Sequence, residues 1–218
     1  GFRVIDARGD VLYLAGGGEY VNLADRDYFV ALRDARIPGI FFSQVIASQI
    51  TGHPVLVAAR AIRSPDGRFL GIVSSQLELS YFERIFKSIH LGNNGALEVR
   101  RLDNHGLAFR QPPAPRPVNQ VLPTSSPIVQ KLSQGSKVGA ERLTSTVDGV
   151  QRIYAYRTLD EFPFYVVVGL SNEDVHADWH RSAILMGGLG ISLFFGMSLV
   201  LIWLFRNQEA EFLSAEKL

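Results

Sequence analysis

Short runs of alternating apolar and polar residues, broken by Gly and Asp turns, fill most of the chain before residue 180. FRVIDARGDVLYLAG, residues 2–16, reads as two strands around a turn at Ala7–Asp10. ADRDYFVALRDA, from Ala24, switches to helical spacing, with Tyr28, Phe29 and Leu32 as its apolar stripe. Asp25 stands near the start of that helix, where an acid favours the helix dipole. HPVLVAARAIR and RFLGIVSSQLEL flank Pro65–Asp66–Gly67 and predict a hairpin. SYFERIFKSI predicts a helix capped by Ser80, with Glu83 three residues later in the capping-box pattern.

The pattern then recurs. ALEVRRLDNHGLAF repeats the strand–turn–strand opening, with Asn104 and Gly106 in its turn. The proline-rich QPPAPRPVNQVLPTSSP predicts an extended loop, and PIVQKLSQG a short helix ended by Gly135. RLTSTVDGVQRIYAYRTL predicts a second hairpin turning at Asp148–Gly149, and FPFYVVVGL a further strand. SNEDVHADWH opens a helix with Ser171 as N-cap and Asp174 at its third position. Two similar units follow from this, with a boundary near Ile89–Asn94.

From Ala183 to Phe205 there are 23 residues without a charge. About 20 apolar residues in a helix span a bilayer. Basic residues flank both ends (His180 and Arg181, then Arg206), so charge alone does not orient the segment. Nothing breaks the helix between Asn172 and Phe205. Gly188, Ser192 and Gly196 recur every four residues, a small-residue face that lets two membrane helices approach. RNQEAEFLSAEKL continues as a helix-prone tail in which Phe205 and Phe212 lie seven apart.

Composition narrows the function. With 47% hydrophobic and 20% charged residues, the 218-residue chain has the composition of a folded protein rather than a disordered segment. A net charge of +1 without a basic cluster argues against nucleic acid as a partner, and the dense run RTLDEF at 157–162 mixes signs. The absence of cysteine excludes disulfides, thiolate metal sites and a cysteine nucleophile. His176 and His180 have metal-ligand spacing without a third ligand. No G-x-S-x-G motif occurs, and GGG at 16–18 lacks the lysine and helix of a phosphate loop. No cofactor is expected. The chain starts at Gly1, which we read as truncation of a longer N-terminus.

ADRDYF at 24–29, ITGHPVLVAARAIRSPDGRFLGIVSSQLELSYF at 50–82 and DGVQRIYAYRTL–FPFYVVVGLS at 148–171, followed by a membrane helix, together resemble the double Cache sensor domain of bacterial transmembrane receptors. The resemblance implies an α+β fold of two tandem PAS-like units, each an antiparallel sheet with flanking helices, followed by a transmembrane helix. The distal unit would be 1–88, the proximal unit 89–180, the membrane helix 183–205 and a cytoplasmic linker 206–218. It also implies an inner-membrane location with residues 1–180 periplasmic, a homodimer, and a cytoplasmic output domain. That domain is expected to be a diguanylate cyclase first, then a histidine kinase or chemoreceptor.

In the amino-acid-sensing branch of this family an Arg-x-aromatic-aromatic motif grips the ligand carboxylate, and Arg26, Tyr28 and Phe29 match it. A guanidinium fork fits a carboxylate, although Arg26 has an alternative in an ion pair with Asp25 or Asp27. Arg60 shares its strand face with apolar residues only, so it needs a partner, either a ligand anion or an acid of the Asp25–Asp27 helix. Gln76 shares a face with Ile72 and Ser74. The branch has an aspartate there to hold the ligand's ammonium, and its aromatic before the TG turn is replaced by Ile46 or a neighbour. With the carboxylate end present and the amine end missing, the expected ligand is a small anion bound by Arg26, Tyr28, Phe29, Arg60 and Gln76. Two alternatives are a ligandless interaction module and a membrane-anchored enzyme, for which the sequence offers no acid–base pair or metal cluster.

Overall fold

The computed structural model describes residues 1–17, 20–49, 51–113 and 118–215, and in the last helix the side chains of 172–174 and 182–203. Gly18, the side chains of His176 and His180, and the Phe205–Phe212 spacing lie outside the described residues.

Residues 1–171 form one compact body containing two antiparallel five-stranded sheets. The first comprises β1 (Phe2–Asp6), β2 (Val11–Leu14), β3 (Phe41–Ala47), β4 (Pro54–Arg63) and β5 (Phe69–Glu78), in the order β2-β1-β5-β4-β3. The second comprises β6 (Ala96–Arg101), β7 (Leu107–Gln111), β8 (Val138–Thr144), β9 (Gln151–Thr158) and β10 (Phe164–Ser171), in the order β7-β6-β10-β9-β8. The two orders are the same, and a helix separates the opening hairpin from the next three strands in each: α1 (Asp27–Asp34) and α3 (Pro127–Ser133). After β5 comes α2 (Leu79–Phe86); after β10 comes α4 (Asn172–Ala215). The chain is thus a repeated PAS-like unit followed by an apolar helix. Within α4, Ser182–Trp203 is long and apolar enough to cross a membrane.

Glycine sets the close approaches. Gly67 adopts φ +88° in the β4–β5 turn, closed by Ser64 and Arg68. At Gly71 a Cβ would lie 2.0 Å from the Ile5 carbonyl oxygen, so only glycine lets β5 pair with β1 there.

Three details differ from the sequence reading. The first helix starts at Asp27 with Arg26 at the cap, so Asp27 rather than Asp25 is its first-turn acid, and no side chain caps it. Instead Arg63 closes its other end, donating to the carbonyls of Leu32, Arg33 and Ala35. α2 leaves β5 with no intervening turn and has Glu78 at its cap. Ser80 lies inside the helix and its hydroxyl binds the Glu78 carboxylate at 3.2 Å, which replaces the expected capping box. Finally, β3 is a strand that the alternation did not reveal, because its register with β4 shifts between Phe42 and Val45.

Each sheet buries one face under its helix. α1 covers Ile5, Val55, Val57 and Ile72 with Tyr28, Phe29 and Leu32. α3 covers Tyr154, Tyr156, Tyr165 and Val167 with Ile128. A third apolar cluster joins the sheets: Phe42, Val45 and Leu56 of the first meet Leu97, Phe109 and Phe164 of the second, with Leu79, Phe82 and Phe86 of α2 alongside. Two polar clasps reinforce it at the β3 bulge. Asn119 donates to the Val45 carbonyl at 2.8 Å and accepts from its N–H at 3.0 Å. Arg101 donates to the carbonyls of Phe42 (2.6 Å) and Ser43 (2.5 Å), while Asp103 neutralises it.

Asn119 has φ +70°, which glycine tolerates, so Asn119→Gly removes the clasp without adding backbone strain. Leaving both Val45 groups unpaired is expected to lower unfolding free energy by about 1–3 kcal/mol in chemical denaturation. A loss under roughly 0.5 kcal/mol, the range of neutral surface changes, would show that the clasp is not energetically coupled to the fold.

Candidate functional site

Arg26 stands at the start of α1, where the chain turns from the Leu23 bend into the helix. No ion pair joins it to Asp25 or Asp27 among the described residues. With the Gln49 amide oxygen turned toward it, Gln49 accepts from Arg26 Nη2 at 2.5 Å and from Nε at 3.2 Å. Arg26 borders a cavity of about 100 Å³, together with Asp25, Asp27, Tyr28, Ser43, Gln44 and Ile46. Arg26 and Tyr28 therefore share one site.

Gln76 is on the same side of the sheet. It pairs in register with Val57, whose side chain packs under α1. Its oxygen accepts from Arg3 Nη2 at 2.9 Å and from Ser48 Oγ at 3.4 Å. Arg3 is a candidate site residue that the sequence reading did not single out. It lies on β1, in phase with Ile5, on the core face, and is only 7% exposed. Among the described residues it has no carboxylate partner. Burial lowers the Arg3 pKa, and the nearby Tyr28 phenol partly offsets this. Burial in turn pushes the Tyr28 pKa up, while the charges of Arg3 and Arg26 pull it down. The signal was present in FRVID: a charge alternating onto a strand face otherwise closed by apolar residues.

Two predicted residues do not join this group. Phe29 is 0% exposed and belongs to the core, edge-on to Phe69 at 5.6 Å. It packs in the layer that α1 buries against the sheet. Arg60 is exposed and on the opposite face of the sheet, paired with Val73, beside Phe2, Ile40 and Ala58. It needs no buried partner, and the expected contact with the Asp25–Asp27 helix is absent because the sheet itself intervenes.

The second sheet carries a larger cavity of about 180 Å³ under α3, bordered by Glu98, Arg100, Leu122, Ser125, Ser145 and Tyr154 among others. Behind it runs a buried ionic chain. Glu98 accepts from Arg100 Nε (2.6 Å) and Arg110 Nε (3.2 Å). Arg110 also reaches Asp148 at 2.5 Å, and Arg152 grips both Asp148 oxygens at 2.8 Å. Arg152 further donates to the Asn94 carbonyl and the Tyr154 hydroxyl. Burial alone would raise the Asp148 pKa. Hydrogen bonds from Arg152, Ser145, the Val150 amide and Arg110 outweigh it and hold the carboxyl well below the usual carboxylate range. Among the described residues no cluster of His, Asp or Glu has metal-binding geometry.

Comparison with known proteins places this geometry. Residues 1–179 match a family model described as Cache domain. The extracellular domain of a protein described as a histidine kinase is 25% identical, with a TM-score of 0.68, covering 80% of this chain and 71% of that one. The periplasmic sensory domain of the Campylobacter jejuni chemoreceptor Tlp1 is 13% identical, with a TM-score of 0.57 over 72% of this chain and 60% of that one. The ligand-binding domain of the Pseudomonas aeruginosa PAO1 amino acid chemoreceptor PctB, in complex with L-Arg, is 16% identical, with a TM-score of 0.57 over 81% and 73%. None of the curated proteins matches the chain by sequence.

Two expectations follow. Phe29→Ala should cost about 3–5 kcal/mol of stability, as a buried aromatic does, and Arg60→Ala less than roughly 0.5 kcal/mol. Similar losses for both in denaturant titrations would contradict these placements. The folded Asp148 pKa lies below its unfolded value of about 3.9, so its contribution is complete above about pH 4 and is lost as pH falls below it. The stability gap between wild type and Asp148→Asn should therefore be widest at neutral pH and narrow in acid. A gap independent of pH would remove Asp148 as the titrating group.

Proposed function

We propose that this chain, which belongs to the Cache domain family, senses a small anion, a carboxylate foremost, in its first unit. The observation that carries this reading is Arg3: a buried guanidinium whose only side-chain hydrogen-bond partner among the described residues is the neutral Gln76, within electrostatic reach of Tyr28, which with Arg26 borders a cavity. An uncompensated buried cation is costly, and an anion arriving between two guanidiniums supplies the missing charge. Arg26 offers its fork once Gln49 yields, and Gln76 holds Arg3 nearby while accepting from Ser48. Solved neighbours of this fold hold L-amino acids, each of which carries a carboxylate.

A zwitterionic amino acid is the second reading, favoured by Asp25 and Asp27, which border the same cavity and present acids for an ammonium group. The cavity holds roughly three water-sized groups at about 30 Å³ each, so larger ligands require it to open.

In our reading the distal unit spans 1–88 and the proximal unit 89–180, both outside the cytoplasmic membrane, with 206–218 inside. Ligand binding favours one of two states, and α4 carries that preference to a cytoplasmic output domain within a homodimer packed along Gly188, Ser192 and Gly196. A histidine kinase or chemoreceptor output agrees with the structural neighbours; a diguanylate cyclase is the remaining candidate. We assign no catalytic step to these residues.

Thermal unfolding of the chain in detergent, with small carboxylates, amino acids, amines and phosphate, tests the reading. A ligand at a hundred times its Kd adds about 2.7 kcal/mol to stability. A carboxylate should stabilise wild type and not Arg26→Ala. Stabilisation by amino acids but not simple carboxylates would favour the second reading, and a folded chain indifferent to every compound would favour the ligandless module.

A further inference from the structure

We infer that the second unit holds a separate site for a small monoanion with a short apolar body, its charge bound by Arg100. The inference is independent of the Arg26 site, which lies on the other sheet.

The argument starts from charge. The buried chain contains three guanidiniums (Arg100, Arg110 and Arg152) and two carboxylates (Glu98 and Asp148). Both carboxylates are shared: Glu98 between Arg100 and Arg110, Asp148 between Arg110 and Arg152. The nearby ionisable side chains do not correct the balance. His105 is held below its usual pKa by burial and by the Arg100 charge, so it is neutral at neutral pH. Burial pushes the Tyr165 phenol up, which keeps it neutral as well. One positive charge remains in a region that water barely reaches.

The second step is where that charge is open. Arg100 is 1% exposed, and the cavity under α3 borders it. Its Nε serves Glu98, and its Nη1 serves the carbonyls of His105 and Gln120. Its Nη2 has no acceptor among the described residues. Tyr165, within the electrostatic reach of Arg100 and Glu98, keeps a buried hydroxyl without a partner among the described residues, and its ring meets His105 at 5.9 Å. Gln120 Oε1 and His105 Nδ1 are likewise buried without a partner among the described residues, so the polar cluster around Arg100 is incompletely paired, and of its members it is Arg100 that borders the cavity and can offer a donor to an oxyanion there.

The third step is the shape of the ligand. The cavity of about 180 Å³ corresponds to roughly six water-sized groups at about 30 Å³ each. Away from Arg100 its walls combine apolar side chains, Leu122, Ile128, Leu143, Val147 and Val167, with hydroxyls of the Ser125–Ser126 and Thr144–Thr146 stretches, and the Glu98 carboxylate, engaged by Arg100 and Arg110, also borders it. A short-chain monocarboxylate, with its oxygens on the guanidinium and its hydrocarbon against the apolar side chains, matches both charge and lining.

The test uses the full chain in detergent carrying Arg26→Ala, which disables the first-unit site. Sodium propionate and sodium butyrate are titrated calorimetrically, with propionamide as the uncharged control. Both acids should bind with one site per chain and the amide at least tenfold more weakly. Ser125→Trp and, separately, Thr146→Trp place a large ring at the cavity border without touching the ionic chain. At least one that melts within a few degrees of the parent should lose tenfold or more in affinity for the acids. Absence of acid binding to the Arg26→Ala chain, equal binding of propionamide, or undiminished binding in every tryptophan variant that folds would each overturn the proposal.

Discussion

Burying an arginine obliges a fold to surround it with acceptors or opposite charge, and among the described residues five are buried: Arg3, Arg100, Arg101, Arg110 and Arg152. Much of the architecture follows from how each is satisfied. Arg101 is neutralised by Asp103 and uses its remaining donors to hold the β3 carbonyls, so a charge becomes a bond between sheets. Arg110 and Arg152 meet on Asp148, which fixes the β8–β9 turn against β7. Arg100 and Arg3 are the two without a carboxylate of their own: Arg100 shares Glu98 with Arg110 and borders a cavity under α3, while Arg3 bonds the neutral Gln76 and lies within electrostatic reach of Tyr28.

The two units share strand order and helix placement but are stabilised differently. Under α1 the core is a continuous apolar layer in which Phe29, Leu32, Val55, Val57 and Ile72 exclude water. Under α3 the apolar cluster is smaller and rich in tyrosine, and the ionic chain occupies the space beyond it. The first solution depends on shape and the second on protonation, which separates the two halves in their response to acid.

Sequence reading recovered the hairpins because their turns carry chemistry: Pro65–Asp66–Gly67, Asn104–Gly106 and Asp148–Gly149 each supply the backbone freedom or side-chain bond that the turn needs. The repeated order of elements and the apolar helix were legible for the same reason, as period and punctuation. The bulged β3 was not, since one register shift erases strict alternation. The structure puts Arg26 and Tyr28 on one cavity and Gln76 on the same side of the sheet, but Arg60 on the other side. Hairpin register decides that difference: Arg60 pairs with Val73 and Gln76 with Val57, so the two residues face opposite sides. Arg3 escaped because its burial depends on β5 lying beside β1, a pairing between residues more than sixty positions apart.

The β3 bulge occupies an unusual position in this arrangement. Ser43, Gln44 and Ile46 face the cavity beside Arg26, while the backbone of Phe42, Ser43 and Val45 is held by Arg101 and Asn119 of the other unit. A few consecutive residues are at once cavity wall and junction between the sheets. The first unit is therefore tied to the second twice over, by the polypeptide through α2 and by hydrogen bonds to the backbone of this one wall.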